Sequence, residues 1–170
     1  LLTDYIPKSM LELEEHRVET PKFSVIDVHN HLGKRSKGWA VPDVDKLVCD
    51  MDSCGVKAIV NVDGGWGDLL RENLDRYKGR YPDRFAVFAW IDWREIDEDF
   101  GKRAAEQLEE CVRMGAQGLK ISKELGLHVR DKAGKLLRAD DEILKPIWEK
   151  ANELKIPVLY HCVYEVNQSS

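Results

Sequence analysis

The chain has 170 residues, 43% of them hydrophobic, and a formal charge of −5. That is enough apolar material for one compact α/β unit, and its scattered basic residues argue against a nucleic-acid partner, whose phosphates need clustered Lys and Arg. No apolar run reaches the length of a membrane span and no leader pattern is present, so no membrane partner is expected. Cytoplasm is favoured, although the start at Leu1-Leu2-Thr3 without Met also fits a processed, secreted form.

Residues 1–22 lack a strong period and read as an arm outside the fold. The first strand follows in Ser24-Val25-Ile26-Asp27-Val28-His29-Asn30-His31. Alternation places Val25, Asp27, His29 and His31 on one face, with Ile26 and Val28 on the other, where helices should cover them. Two imidazoles two residues apart on a strand make half of a tetrahedral metal site without backbone contortion. A bare His-x-His is more often a pair of exposed loop residues. Here Asp27 shares their face, and a buried carboxylate must hydrogen-bond a ligand or a charge, so it is expected to support them from behind.

Strand and helix then alternate regularly. Asp43 to Cys54 carries Val44, Leu47, Val48 and Met51 at helical spacing, with Gly55 as a stop. Val56 to Val62 is the second strand, and a helix around Asp68 to Tyr77 carries Leu70, Leu74 and Tyr77. Phe85 to Trp93 is the third strand, and Asp99 to Met114 a long helix with Phe100, Ala104, Leu108, Cys111 and Val112 inward. The fourth strand, Gly118 to Ser122, places Lys120 opposite Leu119 and Ile121. A small hairpin is expected around Asp131-Lys132-Ala133-Gly134. Asp141 to Leu154 is helical if Pro146 lies in the first turn, and Pro157 to Cys162 is the fifth strand.

Five such units with short connections predict a parallel sheet. A doubly wound sheet is apolar on both faces and carries a Gly-rich turn after its first strand. Neither holds here: Asp27, His29, His31, Lys120 and His161 lie at or near the C-terminal ends of strands, the place where a β/α barrel gathers its ionisable groups. Cys49, Cys54, Cys111 and Cys162 show no Cys-x-x-Cys pairing and read as reduced core residues.

The segments Val25 to His31, Gly118 to Ile121 with Leu125-Gly126-Leu127, Asp140-Asp141 leading into Pro146-Ile147-Trp148, and Pro157 to His161 together resemble the amidohydrolase superfamily. The similar branch holds metal-dependent hydrolases and the aminocarboxymuconate-semialdehyde decarboxylase type. The resemblance implies an incomplete TIM-type barrel, about five of eight strand–helix units, forming a single partial domain over residues 1–170. It implies that His29, His31 and His161 bind a divalent metal, zinc first among candidates. Lys120 stands where some members carry a carbamylated, metal-bridging lysine; pairing with Asp27 or with a substrate carboxylate is the simpler role for it.

The implied chemistry is attack of metal-activated water on an amide, ester or lactone. Non-oxidative decarboxylation of an unsaturated acid is the alternative, and a metal-binding fragment without turnover is a third reading. A full member has a further histidine and a catalytic aspartate on later strands, so the catalytic base is not assigned here. Asp63 and Asp92 are the nearest candidates besides Asp27, equally readable as caps or substrate-loop residues. His128 and Arg130 are expected on the hairpin surface, with substrate contact as the less favoured role. The expected partner is a small molecule, and a second copy of the chain could cover the open sheet edges.

Overall fold

A computed structural model describes residues 5, 6, 8, 10, 11, 14, 20–33 and 41–162. Five parallel strands form a curled half-barrel in sequential order. They are β1 (Val25–Asn30), β2 (Val56–Gly65), β3 (Phe85–Ala89), β4 (Gly118–Ile121) and β5 (Val158–Tyr160). The connecting helices are α1 (Val44–Ser53), α2 (Gly67–Asn73), α3 (Phe100–Met114) and α4 (Lys145–Glu153). Strand order equal to chain order is what a β/α barrel requires, whereas a doubly wound sheet reverses it.

The helix boundaries follow local chemistry. Asp43 caps α1, its carboxylate accepting from the backbone N–H groups of Asp45 and Lys46 at 2.9 and 3.1 Å. At the end of α3, Gly115 takes φ +123° and the Ala116 N–H reaches back to the Cys111 carbonyl at 3.0 Å, a left-handed stop that favours glycine. Pro146 does fall in the first turn of α4, after a 3-10 turn over Glu142–Leu144. Past α2 the chain makes a π turn over Leu74–Lys78, which buries Leu74 and Tyr77. The expected hairpin is reduced to a single antiparallel bridge between Arg130 and Leu136.

The largest apolar cluster lies under α3 and α4, where Phe100, Leu108, Ile147 and Ala151 meet Leu119 and Ile121 of β4. A second joins α1 to the sheet through Val44, Val48, Met51, Ile59 and Phe85. Every residue of β4 is buried. β1 differs: Ile26 and Val28 are 56% and 57% exposed, so among the described residues no helix covers the face expected to be packed. Tyr5, Ile6, Met10 and Leu11 of the N-terminal arm are exposed as well.

The cysteine expectation needs correction. All four are free, but only Cys111 is in the core, and Cys49, Cys54 and Cys162 are exposed. Cys49 lies between the inward positions of α1, and Cys162 follows β5 at the sheet edge, so apolar surroundings in sequence did not translate into burial. No helix among the described residues is long and apolar enough to cross a membrane.

Register departs from regularity in two places that matter. β1 and β2 pair as Val25 with Val56 and Ile26 with Ala58, then as Asp27 with Ile59 and Asn30 with Asn61. The first step uses an extra residue of β2 and the last an extra residue of β1, so the two strands regain their starting offset. Between Asn61 and Gly65, β2 then advances further than β3, which moves only from Val87 to Ala89. Such local insertions bend a strand and re-aim its side chains. Asp63 sits in this widened stretch.

Candidate metal and substrate site

At the C-terminal rim of the sheet, His31 and His161 each come into ring contact with His29. The ring centres of His29 and His31 are 5.3 Å apart, and those of His29 and His161 6.2 Å, edge-on. His161 follows β5, its backbone N–H donating to the Ile121 carbonyl at 3.0 Å. Lys120, from β4, brings its Nζ to 3.3 Å from Nε2 of His29.

Burial is the main cause holding His29 below its ordinary pKa, followed by the Lys120 charge and the two other imidazoles, with Asp27 pulling the other way. Burial also pushes the Lys120 ammonium down, against the opposing pull of Asp63. Both effects favour uncharged nitrogen lone pairs in a crowded cationic corner.

Asp27 does not bind an imidazole. Its carboxylate accepts from the backbone N–H of His29 at 3.0 Å and from the side-chain amide of Asn30 at 2.7 Å. The extra β1 residue between Asp27 and Asn30 breaks strict alternation there.

Asp63 lies inside β2 rather than in a cap or substrate loop, and it is 1% exposed. His31 Nδ1 lies 2.7 Å from its Oδ1, and the Gly33 N–H donates to its Oδ2 at 3.2 Å. Gly33 is needed for this approach, since a Cβ there would stand 2.5 Å from the Asp63 Cβ.

Beneath Asp63 runs a buried amide ladder. Asn61 Oδ1 accepts from the backbone N–H groups of Leu32 at 3.1 Å and Asp63 at 3.0 Å, while its Nδ2 donates to Asn73 Oδ1 at 3.3 Å. Asn73 in turn donates to the Asp63 and Leu69 carbonyls, and Tyr77 donates to the Leu32 carbonyl at 2.6 Å. Asn61, Asp63, Asn73 and Lys120 are the buried polar residues among those described.

Of the other sequence candidates, Asp92 shares a cavity with Lys120, and His128 and Arg130 lie apart. Asp92, in the loop after β3, accepts from the backbone N–H and Nε of Arg94 at 3.1 and 2.8 Å, while its own N–H donates to Gln107. It also lines a cavity of about 450 Å³ that includes Trp66, Trp90, Trp93, Arg94 and Lys120. His128 is exposed, and Arg130, also exposed, donates to the Gly134 carbonyl at 3.0 Å within the hairpin. Neither belongs to this cavity.

The amide ladder and the tryptophan-lined cavity were missed in the sequence. A usable signal for the ladder was present: Asn61 and Asp63 interrupt an apolar strand at alternate positions, and buried polar side chains require partners.

The donor set suits a divalent ion in kind and falls short in closure. Two imidazoles bound to one tetrahedral ion at Zn–N distances of about 2.0–2.1 Å have ring centres about 5 Å apart. The His29–His31 pair meets that spacing, and His161 stands about 1 Å too far out by the same measure. Accordingly, no group of three His, Cys, Asp or Glu among the described residues is already drawn together around a point.

No protein-family model and no curated protein matches the sequence. Solved structures do. The 2,6-dihydroxybenzoate decarboxylase from Rhizobium matches over 87% of this chain and 52% of its own, with a TM-score of 0.62 and 17% identity. A 2,6-dihydroxybenzoate decarboxylase complexed with 2,6-dihydroxybenzoate gives 87%, 53%, 0.60 and 18% in the same order. A probable 2-pyrone-4,6-dicarboxylic acid hydrolase from Acinetobacter baumannii, with citric acid bound, gives 82%, 50%, 0.50 and 14%.

These neighbours are two structures of a decarboxylase and one of a probable hydrolase. At such identities the likeness establishes the shared fold, in agreement with the resemblance read from the sequence. The chain spans about half the length of the structures it matches.

Proposed function

We propose that this chain carries the first-strand and fifth-strand part of an amidohydrolase-type metal site, in which His29, His31 and His161 hold one divalent ion. Zinc is the first candidate, because neutral imidazole suits it. The observation behind this reading is the approach of His31 and of His161 to His29, with ring centres 5.3 and 6.2 Å apart, at one rim of the sheet.

When bound, such an ion supplies Lewis acidity to water and to a substrate carbonyl. The chain's own residues do the rest of what can be assigned. Asp27 fixes the backbone at His29, and Asp63 fixes the ring of His31. Lys120, buried and beside His29, places a cationic or hydrogen-bonding nitrogen at the cavity wall.

The reaction proposed first is hydrolysis of an amide, ester or lactone. Decarboxylation of an unsaturated or aromatic acid is the second reading, favoured by one feature: Trp66, Trp90 and Trp93 line the cavity together with Lys120 and Arg94. Aromatic walls with cations suit a flat carboxylate. In either case the partner is a small molecule.

The test is calorimetric titration of the metal-stripped full chain with Zn(II) and Mn(II). One ion per chain is expected, with binding abolished by His29→Ala. Stoichiometric binding that survives loss of any one of the three histidines, or no binding at all, overturns the proposal. Assays on lactones and on hydroxybenzoates then separate the two reactions.

A further inference from the structure

We propose that Asp63 is the positioning residue of this site: it locks His31 in the tautomer with hydrogen on Nδ1, leaving the Nε2 lone pair as the donor turned to the rim. A metal-binding role for that lone pair rests on the function proposed above; the tautomer itself does not.

Asp63 is buried, and a carboxylate can only accept hydrogen bonds. The 2.7 Å contact to His31 Nδ1 therefore requires the proton on that nitrogen. In the neutral ring the second nitrogen then carries the lone pair. The other carboxylate oxygen takes the Gly33 N–H, so the group cannot turn without breaking a second hydrogen bond. The Asn61 amide holds both sides of this contact, accepting from the backbone of Leu32 next to His31 and from the backbone of Asp63.

The arrangement is asymmetric. His31 is backed by a carboxylate built into the neighbouring strand, whereas His29 meets the Lys120 amine at its Nε2. His31 is thus the imidazole whose orientation is set before any ligand arrives. A carboxylate behind an imidazole also raises its basicity, and loss of such a partner typically weakens metal affinity 10–100-fold.

The test begins with two-bond 15N–1H correlation spectra of the metal-free full chain, at a pH where imidazoles are neutral. His31 is expected to show a protonated Nδ1 and a bare Nε2, while exposed His128 serves as the unconstrained reference. Asp63→Asn is expected to reverse the His31 tautomer. The Gly33 N–H keeps the amide oxygen, so the new NH₂ group faces Nδ1 and forces it to accept. A wild-type His31 protonated on Nε2, or mixed like His128, overturns the proposal, and that measurement needs no variant to fold.

Zn(II) titration of Asp63→Asn should in addition show 10–100-fold weaker binding. If the tautomer is as stated but wild type binds no Zn(II), the positioning stands and the metal function fails. If Zn(II) binds through the histidines while His31 is mixed, the positioning fails and the function stands.

Discussion

The two outer imidazoles of the site are held in opposite ways. His31 follows β1 and is fixed by side chains: the Asp63 carboxylate, the Asn61 ladder below it, and the Tyr77 hydroxyl on the next carbonyl. His161 follows a strand of three residues and is exposed, with a main-chain hydrogen bond to Ile121 and a ring contact to His29. One side is tied by buried side chains, and the other lies exposed at the sheet edge. The 6.2 Å ring separation on the β5 side agrees with that division.

The largest effect that could break this comparison comes from Asn61→Ala. It strands two buried backbone N–H groups and the Asn73 amide, each worth about 1–3 kcal/mol when left unsatisfied. A loss of about 3–5 kcal/mol in urea unfolding is expected. A loss below about 1 kcal/mol would mean that the ladder does not hold the β2 side.

Next in size is a pH effect at Cys111, buried among Leu70, Val87 and Ala89. Burial pushes its thiol up to about 11 from 9.0. The folded chain therefore keeps a proton that the unfolded chain releases, so this contribution is complete below pH 9 and is lost as pH rises towards 11. The size is about 3 kcal/mol, at about 1.4 kcal/mol per pKa unit. Burial raises Tyr77 as well, adding to the same trend. Unfolding curves across that range, compared with those of Cys111→Ala, check it: an unchanged slope in the variant would remove Cys111 as the cause.

On the β5 side a smaller change is expected. Tyr160→Phe removes one hydrogen bond to the Leu125 carbonyl and should cost about 1 kcal/mol. In the same preparation, hydrogen exchange should protect the Leu32 and Asp63 amides more than that of His161. Equal protection would erase the contrast. Smallest of all is Val28→Thr on the exposed face of β1, expected within about 0.5 kcal/mol. A larger loss would reveal packing on that face.

Much of this was legible in the sequence because period and spacing carry it. Apolar spacing located each of the helices α1 to α4, and polar residues at strand ends selected a barrel over a doubly wound sheet. His29 and His31 were legible as a pair on one strand with Asp27, and His161 through the resemblance to the amidohydrolase superfamily. What stayed hidden depends on register. Strict alternation put Asp27 behind the histidines, whereas the carboxylate in contact with an imidazole is Asp63, on the neighbouring strand. The π turn that aims Tyr77 at Leu32 is invisible to a 3.6-residue period. Burial of the cysteines was misjudged because a helix face changes within one residue, as Cys49 beside Val48 illustrates.

The out-of-step stretch between Asp27 and Asn30 makes the length of this segment more critical than its composition. Deleting Val28 would give a smoother ladder and a worse molecule: a slip of one position turns each following side chain to the opposite surface, carrying His31 away from Asp63. Substitutions at Val28 are expected to be tolerated where a shortened chain is not, so a lineage or a library that preserves this rim should vary freely in letters there and hardly at all in spacing.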